Sequence, residues 1–244
     1  FDRFNWTAER AQTWSVIGAS GGGKTTLLMM LAGLRLPTGG QVLIDGLVIE
    51  RPRPRTGLVL QEYGLLPWAT VAQNVALGLQ LRNYYGPDGR HAPEDHSPVP
   101  AQERVEFWLR RLGIDAISQR FPSQISGGQR QRTAIARTLV LEPDVLLMDE
   151  PFAALDAPTR EDLQTLTMEL QQEQQLTLVV VTHNIEDAVF LGQKILVLGE
   201  PPQSDAKVIS NPQAGTADYR TSAAFFEQCA NVRRQMPIRS RVAA

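Results

Sequence analysis

Short apolar runs recur along this chain, each closed by glycine or a polar residue, and stretches with helical spacing lie between them. Residues 12–17 read as a buried strand that runs into a glycine-rich segment, 18–25, after which 26–34 takes helical spacing. Residues 41–44 follow as a second strand, turned by Asp45-Gly46, and 57–60 form a third apolar run that ends at Gln61. Beyond Pro67 the character changes. Val71, Val75 and Leu79 mark one face of a helix over 71–81, and 83–100, rich in proline, glycine and charge, reads as a surface loop. Helical patterns return over 101–112 and 129–141. Residues 145–148 form a buried strand, and Asp156 caps a helix to about residue 174 with Leu163, Leu166 and Leu170 at core spacing. A strand over 178–181, a helix over 185–191 and a strand over 194–198 complete the pattern.

Strands alternating with helices predict an α/β fold, with a mostly parallel sheet covered on both faces. The stretch from about residue 72 to 132 carries no strand pattern, which predicts a helical subdomain inserted into one α/β domain. The segment 201–244 is the least informative. It predicts a small helical extension, with Arg233, Arg234, Arg239 and Arg241 as solvated charges.

Composition narrows the function classes. Of 244 residues, 43% are hydrophobic, enough for a core at this length. The net charge is −2, from 24 basic and 26 acidic residues, so no global basic bias points to nucleic acid. The single cysteine, Cys229, excludes a disulfide within the chain and suits a reducing compartment; nothing near it in sequence suggests a reactive thiol. No apolar run approaches the ~20 residues of a membrane-spanning helix, and no signal peptide is visible.

Two segments carry chemistry. Gly18-Ala19-Ser20-Gly21-Gly22-Gly23-Lys24-Thr25 matches the phosphate-binding loop G-x-x-x-x-G-K-[ST], and it sits between a strand and a helix as that motif requires. Its glycines let successive backbone N–H groups curl around phosphate oxygens, and the helix that follows, through Thr26, adds its positive end. Lys24 is expected to reach the β- and γ-phosphates, and Thr25 to ligate Mg²⁺. The second segment is Val145-Leu146-Leu147-Met148-Asp149-Glu150, four apolar residues closed by two carboxylates. Ligands bind at the carboxyl ends of such strands. Asp149 is expected to hold Mg²⁺, and Glu150 to act as general base on the attacking water.

Ile125-Ser126-Gly127-Gly128-Gln129, lying between these two segments, resembles the signature of the ATP-binding-cassette (ABC) family, whose usual form begins with leucine. The resemblance covers nearly the whole chain, with every motif in family order. Gln61 falls at the Q-loop, Ala154-Leu155-Asp156 at the D-loop, and His183 at the switch histidine, followed by Asn184 where aspartate is frequent. It implies that ATP and Mg²⁺ are bound by Gly18, Ser20, Gly21, Gly22, Gly23, Lys24, Thr25, Thr26 and Gln61, with Thr25, Gln61 and Asp149 around the metal. Glu150 and His183 are the implied catalytic pair. Ser126, Gly127, Gly128 and Gln129 are implied to complete the site of a second copy, packed head to tail. The family's further N-terminal strand and adenine-stacking aromatic are expected upstream of Phe1, so Phe4, Trp6 and Trp14 are taken as packing residues.

Residues 65–75, which include Trp68, together with 149–156 and 182–191, look similar to the ATPases of nitrate, sulfonate and taurine importers, with thiamine-type importers close in pattern. That resemblance implies a subunit on the cytoplasmic face of the inner membrane, with a separate permease and, indirectly, a solute-binding protein. Trp68 falls where the permease would dock, although a tryptophan there also reads as core. An exporter-type ATPase is the alternative. A cassette acting on nucleic acid or ribosomes is a more distant one, since no nucleic-acid partner is expected.

Overall fold

An apolar run that alternation does not break needs cover on both faces. In the computed structural model, which describes residues 1–85, 97–204, 207–216 and 218–236, that cover is present. In chain order the elements are β1 (Thr13–Gly18), α1 (Lys24–Leu31), β2 (Leu43–Ile44), β3 (Leu47–Val48), β4 (Thr56–Val59), α2 (Val71–Tyr85), α3 (Ala101–Arg111) and α4 (Gly127–Leu139). They continue with β5 (Val145–Asp149), α5 (Ala157–Gln174), β6 (Thr177–Thr182), α6 (Ile185–Leu191), β7 (Lys194–Leu198), β8 (Lys207–Ser210) and α7 (Ala223–Gln235).

The main sheet has the order β4-β5-β6-β1-β7-β8. Its first five strands run parallel, and β8 pairs antiparallel with β7. Side chains of adjacent residues point to opposite faces, and two cores follow. Trp14, Val16, Leu147, Val179, Val181 and Leu196 pack with Leu27 and Leu28 of α1. Ile17, Leu146, Met148, Leu178, Val180 and Ile195 face the other way, toward residues of α4, α5 and α6. Strand β1 lies centrally, between two strands that come much later in the chain. The carboxyl ends of β1, β5 and β6 therefore open side by side, where α/β sheets bind ligands.

Between residues 72 and 132 the described residues form helices and no strand. Val71, Val75 and Leu79 are buried along one face of α2, and Trp108 and Leu109 of α3 join the same core. The loop predicted for 83–100 begins later than its composition suggested, because α2 continues to Tyr85. Residues 86–96 lie outside the described residues. The predicted strand at 41–44 is shorter and stands apart from the main sheet. β2 and β3 form their own hairpin, and both turn residues, Asp45 and Gly46, have left-handed φ values of 53° and 76°. That conformation suits the right-handed twist of paired strands.

The extension after residue 200 holds more than the predicted helix. Strand β8 was hidden because only Ile209 of its four residues is buried, and an edge strand with one buried position has no legible period. The thiol of Cys229, on α7, is pushed up to about 11 by burial, which favours the protonated form at neutral pH. Arg239 and Arg241 lie outside the described residues. Trp14 is buried, and Phe4 and Trp6 pack against its cluster; the Trp6 and Trp14 rings meet edge to face at 5.0 Å. Trp68 is not a core residue: 73% of it is exposed.

Candidate functional site

The loop from Gly18 to Gly23 joins the end of β1 to the start of α1. Gly21 and Gly23 have φ values of 82° and 91°, a left-handed conformation that glycine takes without strain. The N–H of Gly22 donates to Ala19 O at 3.0 Å, closing the turn. Gly23 sits at the N-cap of α1 and offers no side chain, so the N–H groups of the first turn have no side-chain cap. Those uncapped donors and the positive helix end form a ready anion site. Lys24 folds its ammonium over the loop, donating to Gly18 O at 2.9 Å and Ala19 O at 3.1 Å. Ser20 and Thr25 are exposed.

The loop also has a support that sequence reading missed. Gln203, buried in the extension, donates to Gly22 O at 3.1 Å and Gly199 O at 2.7 Å, and accepts from the Gly199 N–H at 2.9 Å. A lone glutamine about 180 residues away carries no local signal for such a contact. Thr26, half-buried in the first turn of α1, lines a concavity together with Trp6, Leu36 and Leu43.

At the end of β5 the hydroxyl of Thr25 donates to Asp149 Oδ2 at 3.2 Å. Asp149 is 7% exposed, and its other oxygen, Oδ1, is buried without a hydrogen-bond partner among the described residues. Burial pushes this carboxyl above the usual carboxylate range; the Thr25 hydroxyl pulls it back, Glu150 adds to the rise and Lys24 opposes it. A hydroxyl beside a buried carboxylate with one oxygen left over fits a hard divalent cation. Mg²⁺ takes one or two protein oxygens and draws its other ligands from phosphate and water.

Glu150 follows with φ 48°, a left-handed conformation that costs a non-glycine residue about 1–3 kcal/mol. Its backbone N–H still donates to Val181 O at 2.9 Å, so the β5–β6 ladder holds the strained residue in place. The carboxylate Oε2 lies 2.7 Å from Nδ1 of His183, whose N–H form donates to it. His183 stands one residue past β6. Its loop is set by Asn184, which donates its N–H to Thr182 Oγ1 and accepts from the N–H groups of Glu186 and Asp187 as N-cap of α6. Asparagine therefore does here the capping that aspartate does elsewhere. Gln61 lies two residues past β4, exposed, and the β4–β5 register puts it level with Glu150.

Ser126, Gly127, Gly128 and Gln129 stand apart from this cluster. Ser126 caps α4: its Oγ accepts from Gln129 N–H at 3.3 Å, and Gln129 Oε1 accepts from Ser126 N–H at 2.9 Å. This reciprocal box fixes the loop and leaves Ser126 exposed. Asp156 caps α5 by accepting from Thr159 N–H at 3.1 Å, which holds its carboxyl below the usual range. Among the described residues no hydrogen bond or ion pair joins Ser126, Gln129 or Asp156 to the phosphate loop, Asp149 or His183.

Comparison with known proteins agrees with this geometry. The family model described as ABC transporter matches residues 1–153. An aliphatic sulfonates import ATP-binding protein of Bacillus cereus is 37% identical over 210 residues, 86% of this chain and 78% of that protein. A nitrate import ATP-binding protein of Synechocystis is 39% identical over 198 residues, 81% of this chain and 70% of that protein. Among solved structures, a dimeric ATP-binding cassette in a post-hydrolysis state with ADP and phosphate superposes with a TM-score of 0.69, at 30% identity, over 83% of this chain and 88% of that one. A phosphate loop facing a Thr25–Asp149 pair and a Glu150–His183 pair, on this sheet and beside these relatives, has one reading: the chain belongs to the ABC transporter family, as one of its ATP-hydrolysing cassettes.

Proposed function

We propose that this chain is the ATPase subunit of an importer, turning over ATP at the cytoplasmic membrane face to drive solute uptake through a separate permease. The observation that carries the catalytic part is the 2.7 Å contact between Glu150 and His183 beside the Thr25–Asp149 pair. The uncapped N–H groups of α1 and the loop backbone from Gly18 hold the phosphates, and Lys24 turns from the Gly18 and Ala19 carbonyls to the β- and γ-phosphates. Thr25 and Asp149 hold Mg²⁺, with Gln61 at its margin; the ion when bound neutralises charge on the phosphate oxygens. Glu150 takes a proton from water as the water oxygen bonds to the γ-phosphorus. The bond from that phosphorus to the β–γ bridging oxygen breaks, leaving ADP and phosphate. His183 orients Glu150 and meets the γ-phosphate with its other ring nitrogen.

Ser126, Gly127, Gly128 and Gln129 act on the nucleotide of a second copy packed head to tail, and Asp156 lies at that interface. The exposure of Ser126 and the separation of this loop from the chain's own phosphate loop support this arrangement, as does the dimeric state of the solved relative. The import direction rests on the sulfonate and nitrate import relatives. The solute-binding protein is the third component that direction requires.

Trp68 offers the test of the permease contact. An exposed tryptophan is a strong anchor for a partner, with truncation costing about 2 kcal/mol or more, or about 30-fold in affinity. Purification from detergent-solubilised membranes is expected to bring down a multi-span permease with the native chain. Trp68→Glu should lose most of it while the isolated subunit keeps its ATP turnover. Recovery of ribosomal or DNA-repair partners, with no membrane protein, would overturn the transporter assignment.

A further inference from the structure

The turn that follows Gln61 is held from two sides by the helix that begins at the Ser126 loop. Tyr63 and Gly64 both take left-handed φ values, 63° and 60°. Tyrosine has no ease in that region, so the turn needs an external hold. Arg137, in the last turn of α4, supplies it. Its Nη1 donates to Gly64 O at 2.6 Å and its Nη2 to Tyr63 O at 2.8 Å. The guanidinium is pulled below its ordinary pKa by burial, and hydrogen bonds from a partly desolvated charge are strong.

The tyrosine ring reaches the other end of the same helix. The Arg130 guanidinium lies over it, 5.7 Å from the centroid, and also donates to Ile125 O at 2.7 Å, the residue that precedes Ser126. At Gly127, a Cβ would sit 3.6 Å from the Tyr63 hydroxyl and 3.3 Å from Leu155 Cδ2, beside Asp156. Three segments named separately in the sequence thus meet at one glycine: the turn after Gln61, the Ser126–Gln129 loop and the Leu155–Asp156 loop. Helix α4 spans 13 residues, about 20 Å at 1.5 Å per residue. The turn thus grips it near both ends.

We propose that Tyr63, Arg130 and Arg137 form a clamp that ties the Gln61 turn to the Ser126–Gln129 loop, making Tyr63 and Arg137 positioning residues for the partner copy's nucleotide. The inference rests on the head-to-tail arrangement proposed above. A displacement of Gln61 by the chain's own γ-phosphate shifts the turn and α4, and Ser126, Gly127 and Gly128 shift with it. Occupancy of one site then sets the fit of the other, which is a coupling between two sites through one rigid element that both bias.

The test uses the full chain in a Glu150→Gln background, with Mg-ATP as probe. Three quantities are measured for Tyr63→Leu, Arg137→Gln and Arg137→Lys: ATP affinity of the dilute monomer, ATP-driven dimerisation by sedimentation, and the thermal midpoint without nucleotide. Tyr63→Leu and Arg137→Gln are expected to weaken dimerisation about tenfold. Monomer affinity should stay within about twofold; the midpoint should fall by about 5–10 °C yet remain above the assay temperature. Arg137→Lys, which keeps a charged donor for one carbonyl, should recover part of the loss. Unchanged dimerisation would overturn the clamp. So would a loss matched by an equal fall in monomer affinity, since that is packing alone. Failure of the Glu150→Gln parent itself to dimerise would overturn the head-to-tail arrangement, and the clamp with it.

Discussion

Replacing Glu150 by glutamine is expected to cut ATP turnover about a thousandfold while ATP affinity stays within about twofold. The amide has nearly the same shape as the carboxylate, and its oxygen can still accept from His183 Nδ1, now 2.7 Å from Glu150 Oε2. The left-handed backbone at φ 48° is held by the ladder bond to Val181 O, which the side chain does not touch. What is lost is the proton acceptor. A positioned general base contributes about a hundred- to ten-thousandfold, so the loss should appear in kcat with little change in binding. Phosphate release under single-turnover conditions, set beside an ATP titration, separates the two. Near-normal turnover would move the base elsewhere, and equal losses in binding and turnover would make Glu150 a structural residue.

The parts of this site legible in the sequence are those whose physics is local. Gly21 and Gly23 mark left-handed backbone wherever they stand in such a loop, and the run Val145–Asp149 announces a buried strand with a carboxylate at its ligand-binding end. Asp156 was readable as a cap because an N-cap acts within three residues. Gln129 closes its capping box with Ser126 over the same three-residue span.

The rest depends on contacts that span the chain. Gln203 supports Gly22 from another part of the fold, and Arg137 grips a turn 73 residues earlier. Each reads in sequence as an ordinary polar residue. The strand Lys207–Ser210 escaped because its exposed edge leaves no alternation, and the end of the helix Val71–Tyr85 because the composition beyond it is that of a loop. Trp68 was ambiguous for a related reason: hydrophobicity alone cannot tell a core residue from an anchor awaiting a partner.

The proposed sharing of each site between two copies has a consequence in mixtures. Lys24→Ala removes the cation that the phosphate loop aims at ATP, and should weaken ATP binding about a hundredfold. Gly128→Val damages a different half of the site. A Cβ at Gly128 would lie 2.6 Å from Thr159 Cγ2, so the first turn of α4 must shift away from α5, carrying Ser126 and Gln129 with it. That variant keeps its own phosphate loop and should bind ATP as a monomer. Each variant alone is expected to lose nearly all turnover, because in a symmetric dimer the same lesion falls in both sites. In a mixed dimer both lesions fall in one site. The other joins the intact phosphate loop of the Gly128 variant to the intact Ser126 loop of the Lys24 variant. With random pairing half the dimers are mixed and one site in two is whole, so an equal mixture should recover about a quarter of normal turnover. Sites built within single chains would give no recovery at any ratio. Recovery that rises with the mixed fraction therefore reports which chain supplies each half of the site.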